Sequence, residues 1–105
     1  MPTTILGSDG GLLGGTQTWQ DVTSSRAVGT TYTNSTGKPI YVAVGLVINN
    51  STTFTNLTVS GVVASRTQGY SAGAYTYDIG AIVPPGATYV VSGGSPTLST
   101  WRELR

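Results

Sequence analysis

The sequence predicts an all-β fold: an antiparallel β-sandwich, jelly-roll-like, of about seven strands. Three observations carry this expectation. Residues 38–49, KPIYVAVGLVIN, form the longest apolar run and alternate with period two, so Ile40, Val42, Val44, Leu46 and Ile48 share one face. Shorter alternating runs lie on either side, separated by turns rich in Gly, Pro, Ser and Asn. No segment shows an apolar helical period over a helix length. The central run suits a helix poorly, because β-branched residues lose rotamer freedom there and Gly45 would cost about 1 kcal/mol relative to alanine. Its other phase, Tyr41, Ala43, Gly45 and Val47, is not polar either. Both faces of this strand are therefore expected to be covered, by a second layer of the same chain or by a neighbouring subunit.

Taken in order, residues 1–15, MPTTILGSDGGLLGG, hold five glycines from Gly7 to Gly15 and read as a flexible leader. The leader is either a tail or a link to something upstream. The folded domain is expected over residues 16–105. TQTWQDVT alternates and is polar, so it reads as an edge strand with Trp19 as a core or interface anchor. AVGTTYTN, residues 27–34, reads as a further strand, and NSTGKP turns the chain into the central run. A strand is expected over 54–59, then a two-residue hairpin at Ser60-Gly61, with the chain continuing over 62–64. RTQGYSAG, residues 66–73, has no periodicity and reads as a loop. Alternation resumes over 74–83 and stops at Pro84-Pro85-Gly86, since proline cannot donate to a ladder. Residues 88–92 read as a short strand. LSTWREL, residues 98–104, fits a strand or a helical turn, and the company of strands favours the strand.

A chain of 105 residues suits one domain with one core. Only 9% of residues are charged, against a usual ~25%, so the surface is one of hydroxyls and amides. The net charge of +1, with basic residues scattered, gives no electrostatic case for nucleic acid or membrane partners. Without Cys or His, disulfides, thiol chemistry, imidazole catalysis and most transition-metal sites are excluded, so no cofactor or metal is expected. The start lacks the pattern of a signal peptide, and no stretch reaches the ~20 apolar residues of a membrane helix.

Catalysis is not expected. Glycosidase chemistry needs two carboxylates facing one bond, and nothing in the sequence brings Asp21 and Asp78 together. The many hydroxyls have no histidine and no GxSxG elbow to activate them. Lys38, the one lysine, sits before a proline in a turn. The Asn-x-Ser/Thr sequons at Asn34, Asn50 and Asn56 carry no weight in a chain this rich in Ser and Thr.

The stretch RTQGYSAGAYTYD, residues 66–78, stands apart. Tyr70, Tyr75 and Tyr77 lie among small polar residues, the mixture favoured at recognition surfaces. Tyr rings also stack on sugar faces while their hydroxyls hydrogen-bond. Arg66, Gln68, Tyr70, Tyr75 and Tyr77 are thus the candidate receptor-binding residues. For Tyr75 and Tyr77 the competing reading is the inward phase of a strand.

Several segments together, QTWQDVTSSRAVGTTYTN, TGKPIYVAV, IVPPGATYVV and TLSTWRELR, resemble the C-terminal domain of tail-fibre proteins of tailed bacteriophages and prophages. The resemblance runs from about Gly15 to Arg105. It implies a virion protein at the fibre tip, assembled in the host cytoplasm as a homotrimer on an upstream shaft. Its partner would be a bacterial surface receptor, a lipopolysaccharide glycan or an outer-membrane protein, and it would be no enzyme. Trp19, Tyr41 and Trp101 are the aromatic anchors expected at the subunit contact. The competing readings are a purely structural module that trimerises or caps a fibre, and a carbohydrate-binding module.

Overall fold

The computed structural model describes residues 13–49, 52–70 and 72–105. Most of the expected leader lies outside the described residues. Eight strands run in chain order: β1 Trp19–Asp21, β2 Tyr32–Thr33, β3 Ile40–Asn49, β4 Phe54–Val59, β5 Val62–Gln68, β6 Ala74–Val83, β7 Thr88–Ser92 and β8 Thr97–Leu104. A short 3-10 turn, Thr23–Ser25, follows β1. The strands build two antiparallel sheets of four, β1-β8-β3-β6 and β2-β7-β4-β5, stacked as a sandwich.

Alternation sets what lies between the sheets. Ile40, Val42, Val44, Leu46 and Ile48 of β3 are all buried, as are Leu57 of β4, Ile79 and Val83 of β6, and Tyr89 and Val91 of β7. Each fully buried aliphatic side chain contributes about 1.5–3 kcal/mol. Val59 of β4 packs against the margin of this core. At the expected hairpin, Ser60 and Gly61 have φ of 48° and 84°. Positive values at both positions match the right-handed twist of the flanking strands, which is why a glycine stands second.

The structure departs from the sequence reading at three places. The first two expected strands shrink to Trp19–Asp21 and Tyr32–Thr33, because local side chains capture the backbone between them. Asp21 Oδ1 accepts hydrogen bonds from the Thr23 amide and hydroxyl, which turns the chain out of the ladder. β5 continues to Gln68, so the loop expected over 66–73 is only 69–73. The outer phase of β3 has no second layer over it among the described residues. Instead Tyr41, Ala43 and Val47 are half-buried by side chains of the adjoining strands, and the face is open beyond them.

A polar cluster sits inside the sandwich. Glu103 of β8 is fully buried, on the same face as Trp101. Its carboxylate accepts hydrogen bonds from Arg26 Nε at 3.0 Å and Nη2 at 3.1 Å, Tyr89 Oη at 2.9 Å, Trp101 Nε1 at 3.0 Å and Arg105 Nη1 at 2.8 Å. Burial pushes this carboxyl up, but hydrogen bonds from Arg26 and Tyr89, the Arg26 charge and the Trp101 bond outweigh it. The group stays below the usual carboxylate range. Burial, then the Glu103 charge, raises Tyr89. The Arg26 guanidinium also lies 4.7 Å from the Tyr32 ring centre, and Tyr32 meets Tyr89 and Trp101 at 5.8 Å each. Asn34 closes one end of the sandwich in a similar way. Its buried amide donates to the carbonyls of Lys38, Val83 and Pro84, and its Oδ1 accepts from Thr36.

Candidate recognition site

The strand directions give the sandwich two different ends. At one end lie turn 34–39, the Ser60-Gly61 hairpin, turn 84–87 and both sides of the folded chain. There Thr18 and Arg105 exchange backbone hydrogen bonds of 3.2 and 3.1 Å. The strands joined by the three other connections, β3 to β4, β5 to β6 and β7 to β8, turn at the other end, where Asn49 pairs with Ala74 and Phe54 with Gln68. This second end is the distal end.

Tyr70 leaves β5 and meets Tyr75 at the start of β6, ring centres 5.4 Å apart and planes at 72°. Both rings are open to solvent, Tyr70 at 65% and Tyr75 at 49%. Tyr75 belongs to the inward phase of β6, opposite Ile48, but stands beyond the end of the core. Gly73 leaves room for its ring, because a Cβ there would lie 3.1 Å from Tyr75 Cε2. Edge-to-face pairs contribute about 0.5–1.5 kcal/mol beyond area burial, so the two rings form a pre-ordered aromatic platform.

The other sequence-derived candidates are divided. Gln68 joins the distal end: its amide donates to the Thr52 carbonyl at 2.6 Å and ties β5 to the β3–β4 connection. Arg66 lies on the outer face of the β2-β7-β4-β5 sheet. There Nε donates to Asn56 Oδ1 at 3.2 Å, and the guanidinium sits 3.9 Å from the Phe54 ring centre. Tyr77 turns inward, half-buried, and its hydroxyl is buried without a hydrogen-bond partner among the described residues. Both tyrosines thus occupy the inward phase of β6, Tyr77 within the sandwich and Tyr75 with its ring exposed past the core. Phe54 was missed. Its phase is opposite to Leu57 and it heads its strand, which together mark an outward aromatic.

The three expected interface aromatics also part. Trp19 is 56% exposed on the edge strand β1. Tyr41 is half-buried on the outer face, its ring edge-on to Trp19 at 6.1 Å. Trp101 is fully buried and spends its indole N–H on Glu103, so it is a core residue and not a surface anchor. Asp21 and Asp78 lie on the two edge strands of one sheet, three strand spacings or about 14 Å apart. That is wider than the carboxylate pairs of glycosidases.

Compared with family models, curated proteins and solved structures, the chain matches none of them.

Proposed function

We propose that this chain is the tip domain of a phage tail fibre, which attaches the particle to a host cell through a surface glycan or outer-membrane protein. The observation that carries the recognition half is the polarity of the sandwich. The folded chain starts and finishes at one end, while the exposed Tyr70–Tyr75 platform and three loops occupy the other. A shaft joined at the first end leaves the distal loops pointing at a receptor. Rigid sheets hold those loops, and loops so held are where recognition residues concentrate. The fibre half rests on the tail-fibre resemblance of residues 15–105.

The subunit contact in this reading is a ring of three. Trp19 is exposed on the β1 edge, and Ile82, Val62 and Val63 are exposed by β6 and β5 on the opposite edge. All four lie toward the end away from the distal loops, since Trp19, Tyr41 and Ile82 occupy one rung across the sheet. Joining one edge to the opposite edge of the next copy is a heterologous contact, and such contacts form rings when the rotation closes. Three weak sites on one tip then act together, with avidity exceeding any single affinity.

The test is binding of the labelled domain to a panel of Gram-negative strains. Tyr70→Ala, alone or with Gln68→Ala, is expected to lower attachment severalfold while mass and melting temperature stay unchanged. Loss of the assembly in Tyr70→Ala would make the distal end structural. Attachment to no strain by the unaltered domain would favour the capping module.

A further inference from the structure

We propose that the outer face of the β1-β8-β3-β6 sheet carries a second binding site, a groove that holds one neutral sugar ring. This goes beyond the distal-end reading and stands on separate residues. The groove is an open depression of about 300 Å³ lined by Tyr41, Ala43, Gly45, Asp78, Gly80, Thr100 and Arg102, with Val44 and Ile79 backing it. That is the lower end of the range for small-molecule sites.

Its floor is built by two glycines in long strands, where glycine weakens the strand and often marks a close approach by a ligand or a backbone. In the register, Thr100, Gly45 and Asp78 form one rung, and Arg102, Ala43 and Gly80 the next. A Cβ on Gly45 would lie 2.6 Å from Thr100 Oγ1 and 3.2 Å from Asp78 Oδ1. A Cβ on Gly80 would lie 2.5 Å from Tyr41 Oη. Three oxygen groups therefore lean over glycine backbone, and Gly45 is buried beneath two of them. The β8 strand is also bulged at this rung, with its register to β3 shifting between Gly45 and Leu46. Bulges re-aim side chains and are frequent beside functional sites. None of these devices is needed to fill the core, which lies on the other face.

The groups present select the ligand class. Asp78 accepts hydrogen bonds, Arg102 donates them, and the Tyr41 and Thr100 hydroxyls do either. Within the lining one carboxylate and one guanidinium cancel in charge, and Asp21 stands across from Arg102 on β1, outside the lining. Asp78 repels phosphate or sulfate, and a single carboxylate makes a poor cation site. The floor of glycine and alanine offers little apolar area to a hydrophobic ligand. A ring of vicinal hydroxyls satisfies all four groups at once. The edge-to-edge ring proposed above leaves this groove open, because all of its lining except Tyr41 lies one to two rungs nearer the distal end than Trp19 and Ile82.

The experiment is amide-resolved NMR of the full chain titrated with the methyl glycosides of glucose, galactose, mannose and rhamnose, and with inorganic phosphate. Saturable shifts are expected at Gly45, Asp78, Gly80 and Thr100 with at least one sugar, at a Kd of about 1 mM or weaker, and none with phosphate. Asp78→Ala and Thr100→Val should each weaken that binding about tenfold or more, and Tyr70→Ala should leave it unchanged. Shifts confined to residues 69–75, shifts with no sugar, equal response to phosphate, or binding indifferent to Asp78→Ala and Thr100→Val would each overturn the groove. Failure here leaves the Tyr70 result standing, and failure at Tyr70 leaves this one.

Discussion

Glu103→Ala is expected to destabilise the fold by about 3–5 kcal/mol, the scale for removing one partner of a buried charged network. The change strips five hydrogen bonds from Arg26, Tyr89, Trp101 and Arg105 together. The Tyr89 hydroxyl and the Trp101 indole N–H would be left buried without partners, and unmade bonds of this kind cost more than made ones contribute. Urea unfolding checks the prediction through its midpoint. Acid should mimic the mutation. The folded carboxyl titrates below its ordinary value, so its contribution is fully present above the unfolded value and disappears as pH falls through the folded one. The wild-type chain should therefore lose stability below about pH 4, and Glu103→Ala should lose less over the same range. Equal acid sensitivity in both proteins would assign the loss to other carboxylates.

The two tryptophans should behave in opposite ways. Trp101→Ala removes a fully buried indole and should cost about 3–5 kcal/mol, as large-to-small changes of this size do. Its effect overlaps that of Glu103→Ala, because the two share a hydrogen bond, so the double variant should fall short of the sum. Trp19→Ser changes an indole that is more than half exposed. It should keep the β-sheet circular dichroism and release single chains. If Trp19→Ser unfolds the chain, or if Trp101→Ala separates folded subunits without loss of stability, the roles assigned to them are reversed.

Much of the fold is legible in the sequence wherever one face is apolar and the other is not. The alternation over 74–83 and 88–92 gives strands with the same limits in the structure, the run 38–49 gives one that starts two residues later, at Ile40, and Pro84-Pro85-Gly86 ends β6 as expected. Where side chains compete locally for the backbone, the pattern fails: Asp21 and Thr23 cut β1 short, although the residues around Trp19 alternate. β5 was hidden for another reason. Arg66 and Gln68 lie outside, while Ser65 and Thr67 face inward at an edge, so polarity does not alternate.

The site was legible in part. Composition marks Tyr70, Tyr75 and Tyr77 alike, because aromatic residues among small polar ones are visible in one stretch, but it does not show that Tyr77 turns inward. The Glu103 cluster was not, since its partners come from positions 26, 89, 101 and 105 and meet only after both sheets form. One trace of it exists. Trp101 and Glu103 are two apart on a strand, so a buried Trp101 carries Glu103 inside with it. The groove was equally silent, because Gly45, Asp78 and Thr100 become neighbours only through the pairing of β3 with β6 and β8.

The most direct test of the fibre-tip account is the mass of the purified chain by light scattering at micromolar concentration. The account predicts three chains of 10.8 kDa in one particle, reduced to one chain by Trp19→Ser. A single-chain mass for the unaltered protein would contradict it, and would leave the open face and the exposed edges to a monomeric carbohydrate-binding module.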